Sequence, residues 1–194
     1  DLHDSVKQQA FAASAQIAAA KIHLKLKPDK AFLLLGEAEM LMEKVRQELT
    51  SLILELRPVE IKGKGLFASV EDYAFDWKRR NEIQITIEKL GDHALSLDVQ
   101  KSIFRIVQEA LANVSWHSNA TKVNVVFDYQ PEVLILIIKD DRIGFQYDQS
   151  RPEGMGLKFM NERAELIGGK LEIKSELGFG TEIVLKYPYR PMEL

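Results

Sequence analysis

The sequence predicts an α+β chain in two parts: a two-helix hairpin that pairs into a dimeric four-helix bundle, then an α/β sandwich. Three observations carry this. Up to Pro58 apolar residues recur at spacings of three and four, the period of a helical seam. Beyond Pro58 short alternating runs appear between helical stretches, as strands interleaved with helices do. Gly63-Lys64-Gly65 between the two patterns reads as a linker. The expected divisions are 1–58 for the hairpin, 59–65 for the linker and 66–194 for the sandwich.

The first seam is Leu2, Val6, Ala10, Ala13, Ile17, Ala20 and Leu24. Lys27-Pro28-Asp29 interrupts it, since Pro is disfavoured inside a helix and Asp29 is suited to cap the next one. The second seam is Leu34, Ala38, Leu41, Val45, Leu49, Leu52 and Leu56, closed by Pro58. A hairpin of two such helices has little core of its own, whereas two copies make a four-helix bundle, so a homodimer is expected. The other arrangement packs the hairpin on the rest of its own chain.

In the second part a helix is expected from about Phe67 to Arg80 and a strand over Ile83–Ile87. A strong helix runs from Asp98, its expected cap, to about His117. Strands follow over Val123–Tyr129 and Val133–Lys139 around a Gln130-Pro131 turn. A glycine-bearing loop reaches Gly156, and the helix after it ends at Gly168-Gly169. Leu171–Ser175 and Glu182–Lys186 close the chain as a hairpin around Gly178-Phe179-Gly180. Antiparallel strand pairs with helices interspersed fit one helical layer on a mixed sheet.

Composition excludes several functions. With 194 residues, 46% hydrophobic, 28% charged and a net charge of -3, the chain reads as ordinary globular protein. It lacks the basic stripe of a nucleic-acid binder. The absence of cysteine removes disulfides, thiol catalysis and thiolate metal sites. No apolar run approaches the roughly 18 residues that span a bilayer. Asp1-Leu2-His3-Asp4 reads as the inside of a helix, so a fragment of a cytoplasmic region is expected, with membrane contact only through a sensor region before Asp1.

Three stretches suggest a nucleotide. Glu109 and Asn113 share a helix face at a spacing of four, where an amide oxygen and a carboxylate suit hydrated Mg²⁺ beside phosphates; such pairs are also common on solvated helices. Asp140, after an apolar strand, is placed to accept from an adenine amino group, with Gly144 allowing close approach, or is part of an acidic turn. Gly154-Met155-Gly156-Leu157 opens a helix, whose N-terminus favours phosphate oxygens. Gly178-Phe179-Gly180-Thr181 reads first as a hairpin turn.

In order and spacing these stretches resemble the nucleotide-binding boxes of the GHKL fold, shared by histidine kinases and DNA gyrase B, over about Leu66 to Pro188. The resemblance implies ATP with Mg²⁺ and a lid over about Gln146 to Met155. By it Asn113 holds Mg²⁺ with Glu109 beside it, Asp140 binds adenine, and Gly144, Gly154, Gly156, Leu157 and Thr181 shape the pocket. His117, at the end of the long helix, is a further candidate near ATP.

Among four histidines, His3 is the candidate phosphoacceptor. It borders the seam, and a neutral imidazole nitrogen is nucleophilic near pH 7. Asp4 is placed to accept the proton on the other nitrogen, and Gln8, one turn on, to orient a water for the reverse hydrolysis. His-Asp-x-x-x-Gln ahead of a GHKL region resembles the histidine kinases that serve LuxR-type response regulators, the DesK and LiaS group. Ile106-Val107-Gln108-Glu109-Ala110 and Asn161-Glu162-Arg163-Ala164 extend that resemblance over essentially the whole chain. It implies transfer from ATP to His3, then to a regulator aspartate.

Two positions depart from the family pattern. Trp116 stands where a basic residue is usual, and Arg142 where glycine is usual. Both departures feed an alternative: a phosphatase-biased, regulator-binding module with weak kinase activity. A GHKL machine driven by ATP closure is a third reading, which the His3 hairpin disfavours.

Overall fold

Helices α1 (Leu2–His23) and α2 (Pro28–Leu56) form the hairpin in a computed structural model that describes residues 2–56, 61, 63–115, 120–141 and 155–189. Pro28 supplies the first helical position, where its missing N–H costs nothing. Asp29 therefore lies inside the first turn, where it complements the helix dipole, and is not the cap. The buried seam is narrower than expected and made of small residues. Ala13 and Ala20 of α1 and Ala31, Ala38 and Val45 of α2 are buried, each seven residues apart within its helix. Alanine lets two backbones approach closely while offering little area, so Leu24 stays 58% exposed and Met42 48% exposed in the single chain. Gln16 Nε2 donates to Glu37 Oε2 at 2.8 Å between the helices.

The hairpin is one compact unit, and the elements from α3 (Gly65–Asn81) onward form the body of the second. They run β1 (Gln84–Leu90), α4 (Leu97–Asn113), β2 (Lys122–Tyr129), β3 (Val133–Asp140), α5 (Met155–Leu166), β4 (Lys170–Glu176) and β5 (Gly180–Pro188). The five strands lie in the order β1-β2-β3-β5-β4. Three neighbouring pairs are antiparallel, but β1 and β2 run parallel, with α4 as the connection between them. The sheet is therefore mixed, as expected, with β1 its parallel member.

Period-two alternation decides what faces the helices. Val123, Val125 and Phe127 of β2, Leu134, Leu136 and Ile138 of β3, and Ile183, Leu185 and Tyr187 of β5 are buried. They join Trp77 of α3, Ile103, Ile106, Val107 and Leu111 of α4, and Met160 and Ala164 of α5 in one core. Burial of each large apolar side chain is worth about 1.5–3 kcal/mol. On the other sheet face Val126, Ile137 and Val184 lie in one cross-strand row. Exposed Lys186–Glu172 and Lys139–Glu182 pairs also lie on that face.

Gly180 opens β5 at φ +84, and a Cβ there would fall well inside van der Waals contact distance of the Asp140 carbonyl oxygen. Gly180→Ala should lower unfolding stability by about 2 kcal/mol or more, read by urea denaturation. Tyr129, at the end of β2, has its phenol pushed up to about 12 by burial first, then by Asp92 and Tyr189. Because the folded chain favours the neutral phenol, stability should hold below the ordinary value of 10.0 and fall as pH rises toward 12. Tyr129→Phe should reduce that alkaline loss, measured by denaturation at stepped pH.

Candidate functional site

Helix α4 carries the expected metal-side residues. Its cap is Ser96, whose Oγ accepts from the Val99 N–H, so Asp98 lies in the first turn and does not cap. Glu109 and Asn113 are half-buried, and Asn113 is the last residue of the helix. The helix end is well satisfied. Trp77 Nε1 donates to the Leu111 carbonyl at 3.1 Å, and Ser115 Oγ donates to the Ala112 carbonyl at 2.9 Å. The Val114 N–H donates to the Ala110 and Leu111 carbonyls, and the last turn widens into π geometry at 114–115. These bonds to the carbonyls of the last turn fix the turn that presents Asn113. On the same helix Arg105 and Gln108 are buried and joined by a 3.0 Å hydrogen bond, a polar pair the periodicity did not announce.

Strand β3 separates two adjacent carboxylates. Residues 134, 136 and 138 face the core, and Asp140 continues that series with only 4% exposure. Its Oδ2 accepts from the Thr181 N–H at 3.1 Å. Thr181 is braced by Ser175, whose hydroxyl lies 2.9 Å from Thr181 Oγ and donates to the Gly180 carbonyl at 3.2 Å. Asp141 is exposed and turns elsewhere. Its Oδ1 accepts from the Thr121 and Lys122 N–H groups at 2.9 and 3.1 Å, and its Oδ2 accepts from Thr121 Oγ at 2.6 Å. Desolvation works against the charged form, but those bonds outweigh it and hold the Asp141 carboxyl below its ordinary range.

Asp140 and Thr181 are thus brought together by a direct hydrogen bond. Gly156, buried, and Leu157, packed against the core, lie in the first turn of α5. Gln8 is exposed on α1. His3 and Asp4 belong to α1, and their side chains lie outside the described residues. So do Trp116, His117, Arg142, Gly144, Gly154 and nearly all of the expected lid, and residues 57–60 and 62 of the linker region.

The donors present fit a nucleotide with Mg²⁺. Asp140 offers a buried carboxylate beside backbone, which suits an uncharged base edge, while Glu109 and Asn113 offer only hard oxygen atoms and amide nitrogen. Among the described residues no group of three or more His, Cys, Asp or Glu side chains is placed to hold a metal. A cation at these residues would need phosphate oxygens to complete its shell, as Mg²⁺ commonly does.

Two family models match the chain: "Histidine kinase" over residues 1–61 and "Histidine kinase-, DNA gyrase B-, and HSP90-like ATPase" over residues 98–191. The chain is 39% identical to the sensor histidine kinase LiaS of Bacillus subtilis over 193 residues, covering 100% of this chain and 53% of LiaS. It is 36% identical to the sensor protein VraS of Staphylococcus epidermidis over 197 residues, covering 100% of this chain and 55% of VraS. The chain therefore spans about half the length of these relatives. Among solved structures, the histidine kinase domain of a blue-light-activated kinase of Erythrobacter litoralis aligns with a TM-score of 0.56 at 16% identity, covering 96% of this chain and 93% of that one. The histidine kinase AdeS of Acinetobacter baumannii aligns at 0.57 and 15% identity, covering 91% and 96%. These two likenesses bear on the fold alone, which is that of histidine kinase catalytic regions. With both models in the order that the hairpin and the sheet follow, and LiaS similar from end to end of the chain, the protein belongs to the histidine kinase family.

Proposed function

We propose that this chain is the catalytic core of a two-component sensor kinase, which moves the γ-phosphoryl group of ATP to His3 and then to an aspartate of a LuxR-type response regulator. The observation that carries the reading is the buried Asp140 carboxylate, held by Thr181 at the end of β3, in a chain whose first helix bears His-Asp-x-x-x-Gln. In this reading residues 1–58 are the dimerisation and phosphoacceptor hairpin, 59–65 the linker, and 66–194 the ATP-binding region. The phosphatase-biased alternative is not favoured by the family match.

The residues divide the work. Asp140 accepts from the adenine amino group, with Thr181 fixing the carboxylate. Asn113 and Glu109 face the phosphates, and Gly144, Gly154, Gly156, Leu157 and His117 border the nucleotide. Mg²⁺, when bound, balances phosphate charge. The His3 nitrogen forms the new P–N bond as the bond to the bridging oxygen of ADP breaks, and ADP leaves with that electron pair. Asp4 takes the imidazole proton, and Gln8 orients water when phosphate is removed from the regulator.

The bare hairpin supports a homodimer. Ile17, Leu24, Met42 and Leu49 flank the alanine seam and stay exposed in the single chain, so a second copy has apolar surface to cover. A different face of α1 is assigned to the regulator. Gln8, Phe11, Ala15, Ala18 and Ile22 are all exposed and follow one another at spacings of three and four, which at about 100° per residue places them opposite the seam. Phe11 is 78% exposed there. Among the described residues no helix is long and apolar enough to cross a membrane. The proposal assigns sensing and membrane attachment to the length of the relatives that this chain does not span, and the transfer itself to the cytoplasm.

Labelled ATP with Mg²⁺ should give acid-labile label on the parent chain, and His3→Gln and Asn113→Ala should each abolish it. Label retained in His3→Gln would move the acceptor elsewhere. Phe11→Asp should leave autophosphorylation within about twofold yet slow transfer to a regulator at least about tenfold, the scale of one lost apolar anchor. An unchanged transfer rate would reject the assigned face.

A further inference from the structure

We propose that Asp141 is a positioning residue for the nucleotide, tying the strand end that carries Asp140 to the chain that returns from the Asn113 helix. The proposal rests on the nucleotide reading of Asp140 and Asn113. Its basis is the direction of the Asp141 side chain. At the end of β3 the carboxylate leaves the line of Asp140 and takes three hydrogen bonds from Thr121 and Lys122, where β2 begins. The register already sets Val123 opposite Asp140. The carboxylate therefore extends the β2–β3 pairing beyond its last ladder position.

That extension sits between the two ends of the proposed site. On one side, β3 delivers Asp140, the adenine acceptor. On the other, β2 opens soon after α4 has delivered Asn113. ATP spans both, so its affinity depends on the separation between base and phosphate partners. Hydrogen bonds from backbone N–H groups to a carboxylate are charge-assisted, and hold that separation more firmly than a neutral turn would. Thr121 contributes both its N–H and its hydroxyl and Lys122 its N–H, so rotation of the carboxylate breaks three bonds at once. Asp141 touches no reacting atom; it acts through Asp140 and through the start of β2.

The test compares the parent chain with Asp141→Ala, Asp141→Asn and Thr121→Val, measuring autophosphorylation rate against ATP concentration and ATP affinity by calorimetry. Asp141→Ala should raise half-saturating ATP about tenfold, in line with loss of bonds to a charged group, while the maximal rate stays within about threefold. Thr121→Val should raise it about threefold, and adding Asp141→Ala to Thr121→Val should be no worse than Asp141→Ala alone. Asp141→Asn keeps an acceptor for both N–H groups and an amide to face the hydroxyl, so it should stay within about threefold of the parent. A lower maximal rate with unchanged half-saturation would mean only that less of the chain is folded, and would overturn the proposal. Unchanged half-saturation in Asp141→Ala would overturn it equally. Should Asp141→Ala fail to fold, normal half-saturation in Thr121→Val would reject the proposal, and a rise there with rescue in Asp141→Asn would support it. A parent chain that neither binds ATP nor takes up label would overturn the kinase reading itself, before any variant is compared.

Discussion

A carboxylate buried at the end of a central strand must find partners, and the way Asp140 finds them organises the second unit. The alternation that buries Leu134, Leu136 and Ile138 carries Asp140 inward with them. Its oxygen then requires a donor, which the opening of β5 supplies through the Thr181 N–H. That contact in turn requires the β4–β5 turn to pass so close to the Asp140 backbone that only glycine fits at position 180. Strand pairing, turn chemistry and the proposed adenine contact are thus one problem with one solution.

Much of this was legible from periodicity. Among the described residues each helix and strand lies within a few residues of where periodicity puts it, because the chain separates its 3.6- and 2-residue patterns cleanly with proline and glycine. The cap of α4 was misplaced because Ser96 and Asp98 are both good capping residues two positions apart, and only the Ser96 Oγ contact to Val99 distinguishes them. The parallel pairing of β1 with β2 was not readable, since an intervening helix permits either direction until the strand order is known. The alanine seam was half readable. Ala13, Ala20 and Ala38 lay in the apolar series, yet Ala31 did not, and the larger Ile17 and Leu24 masked how little the single hairpin buries.

At the site, the adjacent acids Asp140 and Asp141 look equivalent as letters. The alternation beginning at Leu134 does distinguish them, because it puts even-numbered positions inward. The bonds of Asp141 to Thr121 and Lys122 were beyond that pattern, being contacts between residues twenty apart in the chain. The Trp77 contact to Leu111 was hidden for the same reason, whereas Arg105 and Gln108 are neighbours on one helix face and only their burial was hidden. Such groups are recognised by what they touch, and a single sequence carries no record of touch.

The alanine seam of the hairpin has a thermodynamic consequence. Small residues bring α1 and α2 together without filling much volume, so most of the free energy available to these helices lies on surface the single chain leaves bare. A unit stabilised by covering that surface with a second copy obeys mass action: its melting point rises with protein concentration. The sheet and its helices, closed around their own core, carry no such dependence. In the proposed dimer the two halves of one polypeptide therefore answer to different laws, one to temperature alone and the other to temperature and abundance together.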